Sequence, residues 1–138
     1  MVNSGLINVI IADDSQKFME GLKVLFNMDA RYNLLETHSN GEDLVNSPNL
    51  FMAKIIITDI EMPRLNGLEA AKKINFMFPN MALVALTMYI DKVYLNEIIG
   101  AGFKAFIHKP EIATDLFKVL NEVMENRYVF PEKLKIDS

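Results

Sequence analysis

The sequence contains no cysteine. That excludes disulfides and thiolate metal sites, and it is compatible with a reducing compartment. A surplus of positive charge is also missing: 14 Lys and Arg stand against 18 Asp and Glu, for a net charge of -4. Nucleic-acid and anionic-membrane surfaces need a basic patch, so direct contact with either is not expected. No apolar run is long. The longest, Met81 to Ile90, is about half of the ~20 residues that span a bilayer. The opening residues, MVNSGLINVI, lack a basic region and a small-residue cleavage site, so they do not read as a signal peptide. The cytoplasm is the expected compartment. There is no internal repeat and no low-complexity segment.

What is present is a core. The chain has 138 residues, of which 51% are hydrophobic, enough for one domain and too many for a disordered chain. Short apolar runs alternate with amphipathic ones. INVIIA (Ile7 to Ala12), YNLLETH (Tyr32 to His38), AKIIIT (Ala53 to Thr58), ALVALT (Ala82 to Thr87) and AFIH (Ala105 to His108) read as strands. Between them lie helical stripes. The first has Phe18, Leu22, Leu25 and Phe26; a short GEDLV helix stops before Ser47-Pro48. Later stripes are Leu68, Ala71, Ile74 and Phe78; then Leu95, Ile98 and Ile99, ended by Gly100 and Gly102. The last has Ile112, Leu116, Val119, Leu120 and Val123.

Strands separated by helices pair in parallel, with helices on both faces. The expected fold is α/β: a doubly wound five-stranded parallel sheet of order 2-1-3-4-5, a flavodoxin-like (βα)5 three-layer sandwich. The domain is placed at residues 6–126. Residues 127–138 lose the helical pattern and read as a polar tail or the start of a linker.

In such a sheet, ligands bind beyond the carboxyl ends of the strands. Asp13 and Asp14 follow the first strand, Asp59 the third and Lys109 the fifth, while Thr87 ends the fourth. Strand order brings the three carboxylates together. Their repulsion calls for a cation, and Mg2+ takes one or two carboxylates plus other oxygens. Lys109 and Thr87 supply donors for a phosphoryl group, and ionised Asp59 is a candidate nucleophile. Taken singly, each residue has a plainer reading. Asp13, Asp14 and Ser15 cap a helix, Thr87 is a β-former, Lys109 is a surface lysine, and Asp59 starts a turn. Suitable chemistry at four strand ends on one edge favours the joint reading.

IIADDS at Asp13 and Asp14, ITDIEMPRLNG around Asp59, ALT at Thr87 and GAGFKAFIHKP ending in Lys109-Pro110 resemble the receiver domain of bacterial two-component response regulators, in flavour the NarL/FixJ type. The resemblance covers roughly Asn8 to Asn126. It implies that Asp59 is the phosphoacceptor, supplied by a sensor histidine kinase or phosphotransfer protein. It implies that Asp13, Asp14, Asp59 and the backbone carbonyl of Glu61 hold Mg2+, and that Thr87 and Lys109 contact the phosphoryl oxygens. Phe106 matches an aromatic switch position coupled to Thr87, and Lys109-Pro110 a family site for a cis peptide. Glu61 and Tyr89 match positions that tune the lifetime of the phosphoryl group.

The resemblance also implies an output face made of the fourth helix, fifth strand and fifth helix. Phe117 and Met124 lie off the core stripe of the last helix, so they either form a homodimer or partner contact on that face or pack against the sheet edge. The output itself is left open. The chain is either a fragment of a transcription factor whose C-terminal helix-turn-helix domain is missing, or a single-domain regulator. A phosphorylation-independent interaction module is the alternative. Two other uses of strand-end chemistry fit less well. A flavin carrier would place its phosphate against the carboxylates of ADDSQ, and a haloacid-dehalogenase-like phosphatase needs Asp where Glu61 stands.

Overall fold

The structure, a computed structural model, describes residues 6–88 and 92–130, with backbone alone for 92–94. Tyr89 lies outside the described residues. Five strands, β1 (Ile7–Ala12), β2 (Tyr32–His38), β3 (Ile55–Asp59), β4 (Ala82–Thr87) and β5 (Ala105–His108), alternate with five helices. The helices are α1 (Gln16–Phe26), α2 (Gly41–Val45), α3 (Gly67–Met77), α4 (Lys92–Gly100) and α5 (Ile112–Met124). The sheet runs β2-β1-β3-β4-β5 and every pairing is parallel. This is the order expected from the alternation of strands and helices.

The two-residue period of the strands sorts their side chains into two cores. Val9, Ile11, Ile55, Ile57, Val84 and Leu86 face one way, onto Met19, Leu22 and Phe26 of α1 and Leu116, Val119 and Leu120 of α5. Ile10, Ile56, Leu83, Ala85 and Phe106 face the other, onto Leu44 of α2, Ala70 and Ile74 of α3 and Ile98 of α4. Central strands that must serve both faces are apolar throughout, which is why β3 and β4 are buried along their whole length.

Local chemistry sets the boundaries. Ser15, Asn40 and Asn66 each accept an N–H bond three residues on, capping α1, α2 and α3. Beyond α4, Gly102 turns the chain at φ +101, a conformation open to glycine. The third strand begins two residues later than the sequence suggests. Leu50–Met52 forms a 3-10 turn, and the Ala53 amide is used to close it on the Leu50 carbonyl. The same strand extends one residue further at its other end, because Asp59 still pairs with Leu86.

The last helix decides one open reading, and the loop before it changes one expectation. Phe117 does not present a free apolar surface. Its ring stacks on Tyr32 and meets Phe26 edge-on, both at 5.6 Å between centroids, on the α1 side of the sheet. Met124 packs against the same core. And no peptide bond among the described residues is cis, so Lys109-Pro110 is trans.

After α5 the chain returns to the sheet. The Val129 amide donates to the Lys104 carbonyl at 2.9 Å and the Phe106 amide to the Val129 carbonyl at 3.1 Å, a parallel bridge along the outer edge of β5. Phe130 packs against the core that contains Phe106.

Candidate functional site

Asp13, Asp14 and Asp59 meet at the carboxyl edge of β1 and β3, each offering an oxygen within 4.8 Å of the others. Asp13 and Asp59 are buried, while Asp14 is exposed at the rim. Local bonds fix each carboxylate. Asp13 Oδ1 accepts the Ser15 amide at 2.8 Å, so the turn that starts α1 also aims Asp13. Asp59 Oδ1 accepts the Glu61 amide at 3.2 Å, which folds the outgoing loop over the carboxylate.

That loop is tightly held. The Gly67 amide donates to the Ile60 carbonyl at 2.7 Å. A Cβ on Gly67 would overlap the Asp59 backbone carbonyl, so only glycine allows the approach. Arg64 and Leu65 turn through φ 59 and φ 127, sparsely populated values for residues with side chains. They bring the Leu65 carbonyl to the Gly41 amide at the start of α2.

Lys109 crosses from the end of β5. Its Nζ lies 2.7 Å from Asp13 Oδ2 and 2.9 Å from Asp59 Oδ2. The ammonium also sits 4.7 Å from the centroid of the Phe18 ring on α1, a favourable cation–π placement. Burial works against the Lys109 charge, but the two carboxylates outweigh it and hold its pKa above the ordinary lysine value. Asp59 goes the same way for the opposite reason. Burial raises its pKa, the Asp13 charge adds to the rise, and the Lys109 and Glu61 bonds only partly offset them.

The remaining expected residues fall around this centre. Thr87 is buried at the end of β4, one residue past Leu86, which pairs with Asp59. Phe106 is 4% exposed, its ring inside the core shared with α3 and α4. Glu61 is exposed in the loop after β3. Three residues beside the site carry no functional mark in the sequence: Phe18 belongs to the first helical stripe, Gly67 stands alone before the third, and His108 ends an apolar strand.

The donor set fits a hard divalent cation: three carboxylates, with no nitrogen or sulfur needed. The response regulator receiver domain profile matches residues 9–121. The chain belongs to that family.

Several relatives of this receiver domain are named transcriptional regulatory proteins, and others are named protein-glutamate methylesterase/protein-glutamine glutaminase. It is 26% identical over 132 residues to the transcriptional regulatory protein DegU of Brevibacillus brevis, covering 95% of this chain and 56% of that one. It is 26% identical to the transcriptional regulatory protein DesR of Bacillus subtilis (strain 168), covering 96% and 65%. Among solved structures it resembles the isolated receiver domain of RcsB from Salmonella enterica serovar Typhimurium, determined with the phosphomimetic BeF3-. That match has a TM-score of 0.82 at 27% identity, covering 94% of this chain and 96% of that one. The receiver spans between 56% and 65% of the length of the first curated relatives it matches. Among its described residues no helix is long and apolar enough to cross a membrane.

Proposed function

We propose that this receiver accepts a phosphoryl group on Asp59 from a phosphohistidine of a sensor histidine kinase or phosphotransfer protein. The observation that carries the reading is the bridge of Lys109 Nζ between Asp13 and Asp59, at 2.7 and 2.9 Å. It places one mobile ammonium beside a buried carboxylate, with two more carboxyl groups alongside.

In the transfer, a bond forms from an Asp59 oxygen to phosphorus as the phosphorus–nitrogen bond of the donor breaks. The imidazole leaves with the electron pair. Asp59 reacts as the carboxylate, the form that can attack. Asp13, Asp14, Asp59 and the Glu61 carbonyl are the residues we assign to Mg2+, which when bound supplies charge neutralisation for the phosphoryl oxygens. Lys109 moves from the two carboxylates to the arriving phosphoryl group, keeping one partner for its charge throughout. Thr87 offers a hydroxyl to the same group. Glu61, beside Asp59, modulates water access and so the lifetime of the acyl phosphate.

The donor protein needs a surface beside Asp59. An apolar groove of about 550 Å³ between α1 and the start of α5, lined by Phe18, Leu22, Leu25, Ile112 and Ala113, lies on the Lys109 side of the site. A helix face of the donor suits it.

For the output we assign the α4-β5-α5 face. Phosphorylation biases a conformer in which Thr87 and Phe106 adopt the phosphorylated arrangement, and that face is rebuilt for a homodimer or a partner. The relatives named transcriptional regulatory proteins support transcription control as the role of the longer protein in which such a receiver works.

The test is intact-mass spectrometry after incubation with Mg2+ and acetyl phosphate, with Asp59→Asn alongside. One phosphoryl group on the wild type, lost at alkaline pH and absent from the variant, is the expected result. No adduct, together with no binding of beryllofluoride, would favour an interaction module that works without phosphorylation.

A further inference from the structure

His108 stands between Lys109 and the strand that carries Thr87. It is the last residue of β5, and its ladder partner on β4 is Thr87. The β4-β5 ladder ends at that pair, but one more bond continues it. His108 Nε2 lies 3.1 Å from the carbonyl oxygen of Met88, the residue after Thr87. A carbonyl only accepts, so Nε2 carries the proton and donates. The ring is held there at some cost: among the described residues its buried Nδ1 has no hydrogen bond, and Glu111 Oε1 lies 3.6 Å from it. Buried polar atoms are seldom left so unless the group serves another bond.

Three constraints therefore bracket Thr87. Its own backbone lies in the ladder with His108. Leu86 before it accepts the Ile60 amide at 3.2 Å, from the loop that follows Asp59. Met88 after it is tied by the His108 ring. An aliphatic side chain at position 108 would leave the Met88 carbonyl without this donor, and Met88 would lose its side-chain tie to β5.

We infer that His108 is a positioning residue, whose Nε2–Met88 carbonyl bond sets the Thr87 hydroxyl toward the phosphoryl group on Asp59. The inference rests on the phosphoacceptor reading above. His108 touches neither phosphoryl group nor metal in this scheme; it acts through the backbone of Met88.

The test compares wild type, His108→Leu and His108→Gln in the full chain, by titration with beryllofluoride at saturating Mg2+. Leucine keeps apolar bulk and removes the donor, and glutamine returns an amide donor. Loss of one net hydrogen bond predicts about fivefold weaker beryllofluoride binding for His108→Leu. For His108→Gln it predicts recovery to within about twofold of wild type. Mg2+ affinity in the absence of beryllofluoride is expected to be the same in all three. Amide exchange at Thr87 and Met88, read without any phosphoryl analogue, is expected to speed up in His108→Leu and to recover in His108→Gln. Equal beryllofluoride affinity in wild type and His108→Leu overturns the inference while leaving the phosphoacceptor reading intact. So does a glutamine variant as weak as leucine, which would make the loss one of packing. Wild type that neither binds beryllofluoride nor accepts phosphate removes the phosphoacceptor reading, and the inference with it.

Discussion

Lys109 and Asp59 come from strands separated by β4, yet Nζ and Oδ2 lie 2.9 Å apart. The lysine side chain is 11% exposed and so is the aspartate. The contact is a partly buried ion pair whose cation also serves Asp13. Removing one partner of such a group leaves charge buried without compensation. Lys109→Met should therefore destabilise the metal-free protein by about 3 kcal/mol at neutral pH. Chemical denaturation with and without Mg2+ checks this. The deficit should shrink when Mg2+ takes over the carboxylates.

Neutralising Asp59 should have the opposite sign. Its folded pKa is raised by burial and by Asp13. A raised carboxyl pKa means that the folded state binds the proton more tightly than the unfolded chain does. Its ionised form is then a cost to folding at neutral pH, and the cost fades as pH falls toward the unfolded value near 3.9. Asp59→Asn should melt higher than wild type at pH 7 without Mg2+, and the two should converge in acid. An unchanged difference across that range would contradict the linkage.

Glu36 titrates in the other direction. Burial alone would raise its pKa, but bonds from Ser47, Asn49 and His38 outweigh burial and lower it. The Ser47 hydroxyl donates to Oε1 at 2.6 Å, tying the segment after α2 to β2. A lowered carboxyl pKa contributes stability above the unfolded value, and that stability is lost as pH falls through the folded one. Glu36→Gln should lose about 1 kcal/mol at pH 7. Its acid limb should be flatter than that of wild type, as thermal melts from neutral to acid pH will show.

Gly67 and Gly21 make a matched pair. A methyl group at 67 would collide with the Asp59 carbonyl, while at 21 it meets nothing. Gly67→Ala should cost about 2 kcal/mol or more by forcing backbone apart, and should slow phosphorylation because Asp59 moves. Gly21→Ala, inside α1, should gain about 0.5–1 kcal/mol from helix propensity. Two denaturation curves and one phosphorylation time course decide both.

The legible parts of the fold are the periodic ones. β1, β4 and β5 stand where the apolar runs do, because a strand buried on two faces has little choice of composition, while half-buried β2 at the sheet edge shows as partial alternation. Asp13, Asp59, Thr87 and Lys109 were legible for a related reason: a polar side chain at the end of an apolar run must face the sheet edge. Contacts between elements left less trace. Nothing in the spacing of α5 says whether Phe117 turns to a partner or to Tyr32, since both are apolar environments. The φ values of Arg64 and Leu65 follow from the bond between Gly41 and the Leu65 carbonyl, which links distant parts of the sequence. Arg127 to Phe130 have no period to read, and only the free edge of β5 explains where they go.

That edge has a mechanical consequence. After α5 the described chain runs back along β5, and its last described pairing uses the Phe106 amide itself. A pull on Phe130 would therefore act as shear along β5, beside the aromatic ring. Displacing Val129 and rearranging the backbone around Phe106 load the same two hydrogen bonds, so the described end of the chain would act as a strain gauge on β5.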